Sequence, residues 1–413
     1  MAKKRVVTGI DVGTTKVCST IAQVCEESLE VLGAGWSPSL GLKKGVVVNL
    51  TDSVKSVKRS LEMAEEEAGS VVESAFVSVG GSFIRSLNCS GQTEIAARNK
   101  EVTSEDVHRA TRDAIKFDLH DDYQIIHQLT QTFGLDGQNG IVNPLGMTGK
   151  KLSVHLHLVI NACAAVQNIV NAVNKAGVVV NGVVMQQLAS AEAVLTEDEK
   201  ELGTVLVDIG GGTTDVAVYS QGAIWHSEVL PLGGSLITKD IAIGLKAPLQ
   251  EAEELKISVG AVFPESVPEE EMIEVEEVGT GRPRTIPRRF LCQVLQARCD
   301  EILSALARIT RKVGIQSDLV TGVVLTGGGA LLNGLVERAE DKLGMPVRLG
   351  YPINVAAPNE AVYHPAYSTA LGLLRYAGAI QSEGVQNAAI STFMPRPRAR
   401  AERMKTWLLE KIG

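Results

Sequence analysis

Asp11 and Asp208 share an unusual following context. Each closes an apolar run and is followed by an apolar residue, glycine and a Thr-Thr pair: Gly13-Thr14-Thr15 after Asp11, and Gly210-Gly211-Gly212-Thr213-Thr214 after Asp208. Glycines let a backbone approach a phosphate closely and turn several N–H groups toward it. The threonines add hydroxyl donors. Two carboxylates facing one another repel unless a divalent cation lies between them, and Mg²⁺ suits carboxylates acting through its water shell. One such turn is as well explained by an ordinary hairpin; the pair points to two clamps on one polyphosphate–Mg²⁺ unit. A third turn, Gly327-Gly328-Gly329, follows the apolar run 323–326 and is expected to open a helix over 331–343. Its bare backbone suits a flat base or a ribose. Glu253 and Lys256 lie three apart on a helical stretch, hence on one face, where they form an ion pair or reach ribose hydroxyls.

The elements around these residues repeat. Residues 5–11 and 16–24 are strands joined by the first glycine turn, and 205–218 is a second strand–turn–strand unit half a chain later. That self-similarity reads as an internal duplication. Residues 52–68 have the helical period, 74–79 form a strand, and 166–176 form a helix ended by Gly177. Between them, 82–162 changes character: a charged helix over 103–116 with Ser104 as its N-cap, then the stretch 127–133, then a strand over 152–160. His155 and His157 alternate on one face of that last strand and are expected to face solvent. Two duplicated halves with an insertion predict an α/β protein of two lobes with a cleft between them.

Composition narrows the function. The chain has 413 residues, 45% hydrophobic and 21% charged, the balance of a globular protein. Aromatics are only 4% and the net charge is −8, so neither a stacking platform nor a basic field exists, and no nucleic-acid partner is expected. Six cysteines form no CxxC pair and read as buried thiols of a reducing compartment. The longest stretch free of charge, 152–174, contains two histidines and several amides and is a poor membrane span.

The end of the chain differs. Residues 395–413 carry a net +4, leaving −12 for the rest. Residues 381–400 are polar, with Pro395 and Pro397, and read as a flexible linker. Beyond it, Met404, Trp407, Leu408 and Ile412 fall on one face of a helix, with basic residues around them. Thirteen residues from 401 onward are too short to cross a bilayer but can lie in the interface of an anionic membrane surface.

These segments together resemble the actin/Hsp70/sugar-kinase superfamily, and within it the FtsA family of actin-like bacterial cell-division proteins. The resemblance rests on 9–16, 140–146 (Gly-Ile-Val-Asn-Pro-Leu-Gly), 188–196, 207–215, 238–242, 278–283 and 367–373. It covers nearly the whole chain, and the order and number of its motifs are specific. It implies a two-lobed actin-like, ribonuclease H-like fold. Residues 1–81 and 163–203 would form the first-lobe core, 82–162 an inserted α+β subdomain, 204–238 and 319–380 the second-lobe core, and 239–318 its upper subdomain. The linker, 381–400, and a membrane-targeting amphipathic helix, 401–413, would follow.

The resemblance further implies ATP and Mg²⁺ as cofactors. Gly13, Thr14, Thr15 and Lys16 would meet the phosphates from one lobe, and Gly210, Gly211, Gly212 and Thr213 from the other. Gly327, Gly328 and Gly329 would face adenosine, Glu253 and Lys256 would hold ribose, and Asp11 and Asp208 would hold Mg²⁺ through water. Hydrolysis needs a group to orient water; Gln187 stands nearest the position used in the superfamily. Because it cannot accept a proton, at most a slow ATPase is expected. Implied partners are a second copy in an actin-like filament, the C-terminal tail of the tubulin-like protein FtsZ, and later division proteins, at the cytoplasmic face of the inner membrane at the septum. Arg282, Arg284, Arg288 and Arg289 follow an acidic run and are candidates for that acidic tail, or else form a solvated loop. The alternatives within the superfamily are a pilus-assembly actin-like protein and a soluble sugar or acid kinase.

Overall fold

A computed structural model of the chain describes residues 5–24, 28–313, 319–383 and 390–392. The first half contains β1 (Arg5–Val12), β2 (Lys16–Val24), β3 (Leu29–Pro38), a short pair β4 (Leu42–Lys43) and β5 (Val46–Val47), α1 (Leu50–Ala68) and β6 (Ser74–Val79). The insertion supplies β7 (Arg85–Glu94), α2 (Ser104–Ala114), β8 (Tyr123–Leu135), β9 (Gln138–Ile141) and β10 (Lys151–Ala162). The chain then returns through α3 (Cys163–Lys175), β11 (Val179–Met185), α4 (Gln186–Val194) and α5 (Glu197–Leu202). The second half runs β12 (Thr204–Ile209), β13 (Thr214–Ser220), β14 (Ala223–Leu230), α6 (Gly234–Leu245), α7 (Leu249–Ser258), β15 (Met272–Glu276), β16 (Pro283–Pro287), α8 (Arg288–Val313), β17 (Val323–Thr326), α9 (Leu335–Leu343) and β18 (Val347–Leu349). Last come β19 (Val355–Ala356), α10 (Ser368–Glu383) and β20 (Ile390–Thr392).

The duplication is visible in the sheets. One is ordered β11-β6-β1-β2-β3-β19 and the other β14-β13-β12-β17-β18. In each, an antiparallel meander comes first, then two strands added parallel to its first member. Near-continuous burial on the inner strands reflects helices covering both faces, as for α1 and α10 against the first sheet. The helices α4 and α10 pack against each other between the lobes. Their close approach needs glycine: a Cβ at Gly372 would overlap the Ala189 carbonyl.

Local signals place the helix starts. Asn49 caps α1, accepting from the Asp52 N–H at 3.2 Å, and Gly69 ends it in the left-handed region. For α2 the cap is Thr103, one residue before the expected Ser104, because Asp106 three residues on closes the reciprocal capping box, whereas Ser104 would have Val107 at that position. The helix expected over 331–343 begins only at Leu335. A short 3-10 turn over 328–331 intervenes, and Gly334 at φ 82° turns the chain into the helix.

The inserted strands form their own sheet, β20-β8-β10-β7, with β9 on β8 and α2 over one face. Its last member corrects the expectation of an unstructured 381–400: α10 runs to Glu383, and Ile390–Thr392 pairs antiparallel with 127–129. His157 is also not a solvent-facing residue; it is 1% exposed, because the polar face of β10 is covered by β14 of the second lobe. His155 on the same face is half-buried. Met404, Trp407, Leu408 and Ile412 lie outside the described residues. Among those described, no helix is long and apolar enough to cross a membrane.

Candidate nucleotide site

The two glycine turns meet. A Cβ at Gly211 would overlap the Thr15 side chain and one at Gly212 the Thr14 side chain, so only bare backbone lets the lobes come this close. Each turn is closed by a backbone bond, Gly13 N–H to Lys16 O at 3.0 Å and Gly210 N–H to Thr213 O at 2.9 Å. The second turn is also stapled to the start of α6: the N–H groups of Gly234 and Ser235 donate to Gly210 O and Gly211 O. Between the lobes lies a cleft of about 610 Å³, within the size range of small-ligand sites. Asp11, Gly13, Thr14, Thr15, Lys16, Asp208, Gly210, Gly211, Gly212, Thr213, Glu253, Lys256, Gly327, Gly328 and Gly329 all line it.

The carboxylates are held rather than free. Asp11 Oδ1 accepts from Ser78 Oγ at 2.7 Å and from Gln186 Nε2 at 3.3 Å, and Ser78 Oγ in turn accepts from the Val12 N–H. Asp208 Oδ2 accepts from Ser190 Oγ at 2.5 Å and Thr369 Oγ1 at 3.2 Å, so both inter-lobe helices orient it. Burial raises the Asp208 carboxyl above its ordinary value and the charge of Asp11 adds to this, while the Ser190 bond opposes it.

A third carboxylate joins them that the sequence reading did not single out. Asp215 lines the cleft, accepts from Thr213 Oγ1 at 2.9 Å, and keeps a buried Oδ1 without a partner. Burial first, then the charge of Asp208, pushes its carboxyl up to about 8. The duplication held a signal for it, since Asp215 follows Thr214 as Lys16 follows Thr15. Lys16 itself donates to Ala366 O and lies 4.2 Å from the centroid of the Tyr367 ring.

Gln187 is the one cleft candidate the structure moves. It is fully buried on α4 with neither amide atom partnered, and its neighbour Gln186 is the residue that enters the cleft. With two successive glutamines at the start of a helix, sequence alone does not say which faces inward. Glu253 and Lys256 do line the cleft, but they are bonded to each other at 2.7 Å and both to Thr238. The arginine cluster is partly neutralised: Arg288 pairs with Glu271 at 2.7 Å and Arg289 with Glu269. Arg282 and Arg284 have no ion-pair partner among the described residues, and Arg284 Nε is buried without a hydrogen bond.

These residues fit a Mg²⁺–polyphosphate. Three buried carboxylates, one with an orphaned oxygen, call for positive charge, while glycine backbone and threonine hydroxyls opposite suit anionic oxygens. Among the described residues no group of three or more His, Cys, Asp or Glu is arranged to hold a metal ion by itself.

A duplicated ribonuclease H-like sheet with its two carboxylate–glycine turns facing across a cleft defines an actin-like protein. Solved structures agree on that fold. The type IV pilus PilM–PilN complex gives a TM-score of 0.66 at 16% identity, covering 91% of this chain and 99% of that one. MreB5 of Spiroplasma citri bound to AMPPNP gives 0.54 at 14% identity, covering 92% and 98%. Within this class the chain belongs to the FtsA family of cell-division proteins. The family model for cell division protein FtsA matches residues 205–372, and that for the SHS2 domain inserted in FtsA matches 81–160. FtsA of Pseudomonas aeruginosa is 41% identical over 408 residues, 98% of this chain and 97% of that protein. FtsA of Escherichia coli K12 is 36% identical over 381 residues, 90% of each.

Proposed function

We propose that this chain binds ATP with Mg²⁺ in the inter-lobe cleft, assembles into an actin-like filament on the cytoplasmic face of the inner membrane at the septum, tethers FtsZ there and recruits later division proteins. The observation that carries the nucleotide reading is the contact of Gly211 and Gly212 with Thr15 and Thr14 over buried Asp11, Asp208 and Asp215. Membership of the FtsA family supports the division role, and the basic, amphipathic 401–413 segment supports membrane attachment. Gln186, bonded to Asp11, is placed to orient water without accepting its proton, which favours slow hydrolysis. For the acidic FtsZ tail, Arg282 and Arg284 are the better candidates of the cluster, since Arg288 and Arg289 are engaged with Glu271 and Glu269.

The test is calorimetric titration of the full chain with ATP, with and without Mg²⁺. Binding that needs Mg²⁺ and is lost in Gly211→Val supports the reading. Unchanged binding in that variant places the nucleotide elsewhere.

A further inference from the structure

The polar face of β10 has a partner in the second lobe. In the inserted sheet, Leu152, Val154, Leu156 and Leu158 pack under α2 with Val107, Ala110 and Ala114. The opposite face lies across β14, the edge strand of the second-lobe sheet. Side-chain donors from that face reach the carbonyls of β14. Ser86 Oγ donates to Ser227 O at 2.6 Å, Asn88 Nδ2 to Trp225 O at 2.9 Å and Gln131 Nε2 to Ile224 O at 3.0 Å. His157 is sandwiched between Asn88 Oδ1 at 2.6 Å and Ser227 Oγ at 2.9 Å.

On its other side the same subdomain is joined to the first lobe by apolar packing. Ile126, Leu129 and Val159 belong to a large core cluster made mostly of first-lobe residues, which also takes in Ile224 of β14, and His127 Nε2 accepts from the Met185 N–H at 3.0 Å. The next residue, Gln186, bonds Asp11. On the second-lobe side, β14 is in register with β13 so that Val229 and Leu230 sit opposite Asp215 and Thr214. The insertion therefore touches elements of both lobes that adjoin the cleft, mainly through apolar packing on the first and through polar bonds, with Ile224, on the second. Water can replace polar bonds of this kind at small net cost, whereas parting an apolar core exposes its surface.

We propose that the inserted subdomain is a clasp on the cleft: release of bound nucleotide requires the Ser86–Asn88–Gln131 seam on β14 to part, and a bound nucleotide holds that seam shut. This rests on the reading of the cleft as an ATP site. By linkage, whatever opens the seam lowers nucleotide affinity, and nucleotide resists opening by the same factor.

Release of a fluorescent ATP analogue from the full chain, followed by stopped flow, tests this. If the unaltered protein binds no analogue, the ATP reading itself fails. If it binds, the triple variant Ser86→Ala/Asn88→Ala/Gln131→Ala is expected to release it at least ten-fold faster. Arg112→Ala, which removes an exposed pair on α2 and leaves the seam alone, should release at the original rate. Release within two-fold of the original in a triple variant with native circular dichroism overturns the clasp. Hydrogen exchange gives a second readout, for which Gln131→Ala alone serves if the triple variant does not fold. Saturating ATP–Mg²⁺ should slow exchange over 223–230 in the unaltered protein and do so less in the variant. Equal slowing in both, or none in either, also counts against it.

Discussion

Asp11 and Asp208 carry negative charge into a site whose expected ligand is itself an anion, and Asp215, its carboxyl pushed up to about 8 by burial and by Asp208, gains its charge when a cation is there to stabilise it. Without a divalent cation they should repel the triphosphate, so chelation with EDTA is expected to weaken ATP binding by at least ten-fold. Asp208→Asn should narrow the gap between binding with and without Mg²⁺, because it removes one charge from the cluster while keeping an acceptor for Ser190. An unchanged gap would mean that Asp208 has no part in the cation's site. The two glutamines at the start of α4 separate a functional from a structural role. Gln186→Ala is expected to lower ATP turnover at least ten-fold with little change in stability. Gln187→Leu should leave turnover alone and stabilise the fold by about 1–3 kcal/mol, since it replaces a buried, unpartnered amide with an apolar group of similar size. Thermal melting and single-turnover hydrolysis of both variants check this, and the reverse pattern would restore Gln187 to the site.

At the scale of elements, β8 and β10 bring two histidines into the interior. Burial is the main cause pushing both His127 and His157 down to about 3 from 6.5. The unfolded chain takes up protons at these sites below pH 6.5 and the folded chain does not until about pH 3. Stability is therefore full above pH 6.5 and falls as the pH drops, by about 1.4 kcal/mol per unit for each histidine. Urea denaturation between pH 7 and 5 should show that loss, with roughly half the slope remaining in His157→Gln. A flat profile would contradict the burial. The N-cap of α2 gives a separate check: Thr103→Ala should cost about 1 kcal/mol, and Ser104→Ala almost nothing.

For the whole molecule, the acidic body and basic end predict where the membrane is felt. Full-length protein should pellet with anionic vesicles, while a chain ended at Thr392 or carrying Trp407→Glu should stay in solution. One short helix binds weakly, so pelleting should rise steeply with protein concentration and with ATP–Mg²⁺ if filaments form. Equal pelleting of the shortened chain would remove the tail as the anchor.

Much of this was legible in the chain alone. The β1–β2 and β12–β13 hairpins, β6, and the period of α1 follow from local patterns, because alternation, helical spacing and glycine punctuation act over a few residues. Asp11, Asp208 and the three glycine turns were legible for the same reason: each motif is contiguous. The sequence also determined that the design occurs twice. What only the tertiary structure decided is which side chains share space. Gln186 rather than Gln187 enters the cleft because the packing of α4 sets its rotation. Asp215 becomes a third buried carboxylate because β13 lies beside β12. The pairing of Arg288 and Arg289 depends on how the acidic run folds back along β15. The polar face of β10 looks solvated in a linear reading because alternation reports only that one face avoids the local apolar core. Whether water or a distant strand covers that face is settled by contacts across some seventy residues of sequence, as between His157 and Ser227.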